Sequence, residues 1–360
     1  MEYVNPGGSI KDRPALQIIL DAYKSGTLSK GKPVVEMTSG NMGAGLAIVC
    51  NHFGNPFTAV MSEGNSIERV KFLKALGANV ILTKQKTGVL GKVTGEDIEV
   101  ATVVAKEFAK KKNAFYVDQF NNLSSVRAHF RTTGPEIWKF LKTDLNAFVA
   151  CIGSAGTFVG TAKYLKSKNE KIECIAVEPK NASILKSGKL KNNKHIIQGT
   201  GYGFVPPHWE KNIADKIITV TDDEAYKMKI QLGKLEGLHV GYSASANIVA
   251  TIKHMKNINQ DNYNALTILC DTGFKYWNLS SAKKSQQATL GSAQVWLDNV
   301  TMSRTSFIAQ KDEDRGSTGI TSSGRRNFKS FEICTFNRYY FLNKENNYNI
   351  IADLFYNYGF

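Results

Sequence analysis

Residues 33–47 read PVVEMTSGNMGAGLA. Pro33–Met37 is a short apolar run of the kind that forms a buried strand. Thr38-Ser39-Gly40-Asn41-Met42-Gly43 is a polar, glycine-rich turn, and Leu46 and Val49 then open a helical pattern. A strand that hands over to a helix through such a turn is the first half of a parallel βαβ unit. The turn also offers hydroxyls, an amide and backbone N–H groups aimed along a helix axis, which suits a carboxylate or a phosphate.

The same alternation extends outward from this stretch, from Pro33 to Asp271. Phe57–Met61, Asn79–Leu82 and Ala114–Val117 read as further strands. Asn65 is expected to cap a helix carrying Ile67, Val70, Leu73 and Leu76, and Glu96–Lys112 is a helix with Ile98, Ala101, Ala105 and Phe108 on one face. A second block repeats the logic. Its strands are Ala147–Ile152, Ile172–Val177, Ile217–Val220 and Leu266–Cys270, and its helices are Thr157–Ser167, Asp222–Glu236 and Ser243–Met255, with a Thr221/Glu224 capping box on the middle one. No fixed-period repeat is present, which excludes a solenoid.

The 360 residues are 42% hydrophobic, too ordered a composition for wholesale disorder. No apolar run approaches the ~18 residues of a membrane helix, and the first residues, MEYVNPGGSIKDR, do not form a secretory signal. Five widely spaced cysteines (Cys50, Cys151, Cys174, Cys270, Cys334) read as reduced thiols of a cytoplasmic protein. Six scattered histidines and no C-x-x-C give no metal ligand set. The formal charge of +15 divides into +12 on residues 1–281 and +3 on 282–360, where ten bases meet seven acids. Lysine-rich helix faces, as at Lys110–Lys112, Lys163, Lys166 and Lys168, account for it better than a nucleic-acid surface, since no basic stripe is interleaved with aromatics. Past Ser281 the alternation stops, and residues 282–360 read as a disordered or poorly packed tail.

Open α/β sheets bind ligands where strands hand over to helices. Besides 38–43, that position holds Gly153-Ser154-Ala155-Gly156-Thr157, a second anion cradle, and a lysine lies in the polar turn Ser9-Ile10-Lys11-Asp12-Arg13. Neither cradle has the lysine of a Walker loop or a G-x-G-x-x-G pattern.

Taken in order, NPGGSIKDR, EMTSGNMGAGLA, SIERVKFLKALGANVILT, TTGPEIW, GSAGTFVG, VEP, QGTGYGFVP and CDTGFKY resemble the cysteine synthase (O-acetylserine sulfhydrylase) and cystathionine β-synthase group of fold-type II pyridoxal-phosphate enzymes. The resemblance covers roughly residues 4–281 and implies two open, twisted, mainly parallel α/β domains. The smaller, substrate-carboxylate-binding domain would be 13–119, and the larger, phosphate-binding domain 1–12 plus 120–281. It further implies that Lys11 forms the Schiff base with pyridoxal 5′-phosphate and serves as the acid–base group. Asn41 would bond the cofactor's 3-hydroxyl oxygen, Gly153, Ser154, Ala155, Gly156 and Thr157 would hold the phosphate, and Thr272 would face the pyridine nitrogen. Thr38, Ser39, Gly40, Met42 and Gln119 would form the α-carboxylate pocket, with the Gly199–Gly203 loop beside the substrate. The implied reaction is β-replacement on O-acetylserine or a related β-substituted alanine by sulfide, through an α-aminoacrylate, giving L-cysteine in a cytoplasmic homodimer. A neutral hydroxyl at Thr272 limits carbanion delocalisation and favours loss of a β-leaving group over transamination.

The chain also departs from the family pattern. Met42 stands where threonine is usual, and Ala155 and Ser245 stand where glycine is usual. Ala155 is expected to be tolerated only with a negative φ. The family has strands ahead of NPGGS, whereas Asn5 here is preceded by four residues, so the larger sheet is expected to lack them. Three alternatives stay open at this point. Cystathionine β-synthase or cysteine desulfhydrase chemistry would use the same cofactor, and a truncated, non-catalytic remnant or binding module would bind it weakly or not at all.

Overall fold

The computed structural model describes residues 1–86, 93–190, 194–258, 263–276, 340–343 and 350–351. The elements run in chain order α1 (Asp12–Lys24), β1 (Val34–Met37), α2 (Asn41–Phe53), β2 (Phe57–Ser62), α3 (Ile67–Ala75), β3 (Asn79–Thr83), α4 (Gly95–Lys112) and β4 (Phe115–Tyr116). Next come α5 (Ser124–Arg131), α6 (Thr133–Leu141), β5 (Ala147–Cys151), α7 (Gly156–Lys168), β6 (Glu173–Pro179) and α8 (Ile184–Ser187). The last are β7 (Lys216–Val220), α9 (Asp222–Glu236), α10 (Tyr242–Met255), β8 (Asn264–Thr267), β9 (Tyr340–Asn343) and β10 (Ile350–Ile351).

Two sheets result. One is parallel with order β3-β2-β1-β4, and the other has order β10-β9-β8-β5-β6-β7 with β5 to β8 parallel. In each sheet the chain winds outward from one strand and then returns to that strand's other side. β1 is therefore flanked by β2 and β4, and β5 by β6 and β8. The carboxyl ends of β1 and β5 are topological switch points, where outgoing connections leave on opposite faces and open a crevice. The residues after them are Thr38–Gly43 and Gly153–Thr157.

Continuous apolar strands such as β5 and β6 are buried on both faces. In β5, Phe148 and Ala150 pack with Phe158, Val159 and Ala162 of α7, while Ala147 and Val149 pack with Ala246 and Ala250 of α10. The core around the first sheet draws on α1, α2, β1 and β2, with Ile18, Ile19, Leu46 and Phe57 fully enclosed. Capping chemistry sets the helix starts. The Thr221/Glu224 box is formed as the sequence predicts, and Thr94 with Asp97 makes a second one on α4. The residue expected to cap α3, Asn65, instead lies one position outside, and Ser66 is its N-cap.

The sequence places no strand in 282–360, yet the structure has two. β9 pairs antiparallel with β8 (Asn264 with Asn343, Thr267 with Tyr340), and β10 pairs with β9. An open sheet edge presents unpaired N–H and C=O groups that template such pairing. The reading of the remainder of 282–360 as a poorly packed tail lies outside the described residues. No helix among the described residues is long and apolar enough to cross a membrane.

Candidate active site

Lys11 is placed by backbone pairing. The segment before it runs beside the extension of β8: Glu2 N–H donates to Leu269 O (2.9 Å), Ile10 N–H to Cys270 O (2.8 Å) and Thr272 N–H to Gly8 O (3.3 Å). Lys11 therefore stands at the carboxyl end of the large sheet, as the N-cap residue of α1. It lines a cleft with Pro14, Met42, Gln119, Ser125, His129, Ser154, Gly156 and Thr157. Burial dominates its amine and pushes the pKa down, while the Asp271 carboxylate opposes the shift. Cys270 is also close, but burial pushes its thiol up to about 12, so it is neutral. Burial of this kind favours the uncharged form of the amine.

The first loop comes from β1. The Thr38 hydroxyl accepts the Gly43 N–H (3.0 Å), closing the first turn of α2 and keeping its own O–H to donate. Because α2 starts at Asn41, the N–H groups of Asn41 and Met42 have no partner within the helix. Met42 is 3% exposed and joins the core of the small sheet while touching the cleft. Arg69 of α3 donates to the Ser39 carbonyl (3.1 Å) and hydroxyl (3.3 Å) and to Oε1 of Gln198, which precedes Gly199. That arginine thus ties a loop of one sheet to a loop of the other.

Gln119 reaches the cleft after Asp118, whose φ of +52° turns the chain inward from β4. Its Nε2 donates to Glu36 Oε1 (3.2 Å) and to the Met37 carbonyl (3.3 Å), while Asp118 N–H donates to Glu36 Oε2 (2.8 Å). Both amide hydrogens of Gln119 are engaged, so its unspent group is an acceptor, and donating to a carboxylate requires the amide to turn. Glu36 is 1% exposed, and burial pushes its carboxyl up to about 8 despite the bonds it accepts from Asp118 and Gln119.

The second loop is built of backbone. A side chain at Gly153 would put Cβ 2.3 Å from the Gly199 carbonyl oxygen, and one at Gly160 would put it 2.2 Å from that of Val126. The second contact lets α7 and α5 approach so closely that His129 Nε2 stands 3.1 Å from Thr157 Oγ1, with its Nδ1 2.9 Å from Thr133 Oγ1. Burial, then Arg13 and Lys11, push the His129 pKa well down, so this ring is neutral. Ala155 has φ +66°, against the negative value expected of it. The turn requires a left-handed residue before α7, and the methyl group is accommodated at a cost of about 1–2 kcal/mol. Ser245 fits without strain, its hydroxyl donating to the Gly241 carbonyl (3.1 Å).

Thr272 lies beside the Lys11 loop, its hydroxyl accepting the Phe274 N–H (3.3 Å) and retaining an O–H to donate. Of the residues expected from the sequence, Lys11, Met42, Gln119, Ser154, Gly156 and Thr157 share the cleft. Thr38, Ser39, Gly40 and Asn41 form the loop above it, and Gly153 meets Gly199 behind it. Glu36, Arg69, Ser125, His129, Asp271 and Lys275 were not expected. Only Glu36, an acid inside an apolar strand, carried a signal that could have drawn notice.

Residues 1–271 match the family described as pyridoxal-phosphate dependent enzyme. The chain belongs to this family. Over 276 residues the enzyme is 38% identical to cysteine synthase B of Campylobacter jejuni, spanning 76% of this chain and 88% of that one. It is 35% identical to an O-acetylserine dependent cystathionine beta-synthase of Bacillus subtilis, over 77% and 86% of the two chains. Its fold matches the crystal structure of O-acetyl serine sulfhydrylase isoform 3 from Entamoeba histolytica with a TM-score of 0.72 and 32% identity, covering 79% of this chain and 82% of that one. Pyridoxal phosphate is the cofactor, and the residues present fit it. A lysine with a depressed pKa faces a cradle of hydroxyls and helix N–H groups that suits a phosphate dianion.

Proposed function

We propose that the enzyme makes L-cysteine by β-replacement, exchanging the acetoxy group of O-acetyl-L-serine for sulfide. One observation carries this reading: Lys11, the helix-start loop of β1 and the helix-start loop of β5 converge on one cleft. Bound pyridoxal phosphate supplies an electron sink for the bond at the substrate's Cα. Ser154, Thr157 and the first N–H groups of α7 hold its phosphate, Asn41 its ring oxygen and Thr272 its ring nitrogen. Lys11 anchors it and then, as a neutral amine, takes the Cα proton. The substrate carboxylate is received by the Thr38 hydroxyl, Ser39, the Gly40 turn, the N–H groups at Asn41 and Met42, and Gln119, with Gly199 alongside. Met42 lines the cleft with an apolar side chain that excludes water where the leaving group departs.

This reading assigns 13–119 to a smaller carboxylate-binding domain, and 1–12 with 120–281 to a larger phosphate-binding one. The division of the cores supports it, since the clusters around β1 and β2 contain only residues from 15 to 117. A homodimer is supported by apolar side chains open to solvent on adjoining elements, Leu16 and Leu20 of α1 with Leu123 and Phe130 around α5. A cytoplasmic location is supported by Cys50, Cys151, Cys174 and Cys270 remaining as free thiols.

The test is direct. Purified protein is expected to show the visible band of lysine-bound cofactor, and borohydride should fix the cofactor covalently on the peptide containing Lys11. Lys11→Ala should lose the covalent product and at least about 10³-fold in turnover. O-acetylserine, serine and cysteine are then added separately. A spectral response to O-acetylserine with sulfide-dependent cysteine release supports the reading, and a response to serine alone would replace it with cystathionine β-synthase-type chemistry.

A further inference from the structure

The least expected contacts around the cofactor site belong to Asn41. It is the first residue of α2, and its side chain is bonded at both ends. Nδ2 donates to Asp271 Oδ2 (2.7 Å), and Oδ1 accepts from Lys275 Nζ (2.7 Å). The same ammonium donates to the carbonyls of Gly7 (2.7 Å) and Gly8 (3.4 Å), in the loop that ends at Lys11. Asp271 is 1% exposed and held from a second side by the Tyr276 hydroxyl.

An amide placed between a cation and a carboxylate has one acceptable orientation. Turning it over would set NH₂ against NH₃⁺ and C=O against COO⁻, losing two charge-assisted hydrogen bonds and adding two repulsions. With those bonds made, Asn41 keeps a single N–H to give. A free asparagine side chain presents its oxygen or its nitrogen with similar ease, so the clamp selects the donor end.

We infer that Lys275 is a positioning residue for the cofactor. Together with Asp271 it locks the Asn41 amide so that its remaining N–H serves the cofactor's ring oxygen, and it fastens the Lys11 loop to the same point. The inference rests on the assignment of Asn41 to that oxygen. It gives the turn after β8 a task beyond Thr272, namely joining the loop of the small sheet to the Schiff-base lysine through one ammonium group.

The experiment is a double-mutant cycle read on cofactor binding. Cofactor-free protein is titrated with pyridoxal phosphate, and both the dissociation constant and the absorption maximum of the bound cofactor are recorded. The forms compared are wild type, K275M, N41A and the double variant, with K275R as the conservative control. K275M is expected to weaken binding roughly tenfold, the scale of one charge-assisted hydrogen bond, and to shift the absorption maximum. Adding it to N41A should cost less than about twofold, because the clamp no longer has an object. K275R should restore both readouts, and the cofactor-free melting temperatures should agree across the set. Additive losses, or an unchanged absorption maximum in K275M, would overturn the clamp. They would leave Lys275 as a fastener of the Gly7–Gly8 carbonyls. Should K275M not fold, D271N reads the other end of the clamp in the same cycle, with the same two outcomes. A wild type that binds no pyridoxal phosphate would instead refute the assignment of the site.

Discussion

The loops after β1 and β5 are the same device built from different materials. Each follows the strand at which its sheet reverses direction, and each points a helix start into the cleft. The β5 loop is held by backbone against backbone, with Gly153 on the Gly199 carbonyl and α7 pressed on α5 at Gly160. The β1 loop is held by side chains: Glu36 on Gln119, Arg69 on Ser39, Lys275 and Asp271 on Asn41. Close-packed backbone has no alternative arrangement, whereas long polar side chains can exchange partners. Under the proposed assignment of phosphate to the β5 loop and carboxylate to the β1 loop, the contrast suits the ligands: a phosphate that stays needs a preset cradle, and a carboxylate that comes and goes needs one that can reset.

The largest test of this contrast uses Glu36, the buried acid of β1. Glu36 has its carboxyl pushed up to about 8 from 4.5, so the unfolded chain gives up this proton first as pH rises. A raised folded pKa contributes stability that is full below about 4.5 and is lost as pH climbs toward 8. Glu36→Gln removes the dependence. The variant's stability should gain on wild type between pH 5 and 8 by on the order of 3 kcal/mol, read from urea midpoints at each pH. A gap that does not change with pH would mean that Glu36 is ionised and paired like an ordinary acid.

Next in size is a blow to the rigid side. Gly153→Ala must move the Gly199 carbonyl, so cofactor affinity should fall about a hundredfold, roughly 2–3 kcal/mol, as measured by equilibrium titration. Near-normal binding would show that the β5 loop is as adjustable as the β1 loop. Thr38→Val removes the hydroxyl that accepts the Gly43 N–H and, on the proposed assignment, a donor to the carboxylate. It should raise KM for the amino-acid substrate about tenfold, near 1–2 kcal/mol, while leaving cofactor affinity within about twofold. Equal losses in both quantities would erase the division of labour between the loops. The smallest effect belongs to Ala155→Gly, which relieves the positive φ but frees the unfolded chain. A gain of up to about 1 kcal/mol in thermal stability is expected, with kcat unchanged.

Much of this was legible in the chain. β1, β2, β3, β5 and the helices α9 and α10 follow from apolar runs bounded by turn residues, and the cradles follow from glycine and hydroxyl content. The helix α1 was missed although Ala15, Ile18, Ile19 and Ala22 recur at helical spacing; what the sequence did not show is the placement of Lys11 at its start, which depends on pairing with residues 269–272. The strand β9 was not legible either, since what recruits it is the open edge of β8 and not its own sequence. His129 reaches Thr157 because the close contact at Gly160 brings α5 and α7 together, and Lys275 reaches Asn41 across 234 positions of chain.

By itself, the sequence determined the alternation of strands and helices, the two glycine- and hydroxyl-rich turns at helix starts and the family to which the chain belongs. These are local properties, written in side-chain periodicity and in where the backbone can turn. Tertiary structure alone decided which polar side chains meet: that Glu36 engages Gln119, that Asp271 and Lys275 hold Asn41 from both ends, and that Ala155 must accept a left-handed turn. Hydrogen bonds and burial depend on separations of a few ångströms between distant residues, and those separations exist only once the sheets have packed.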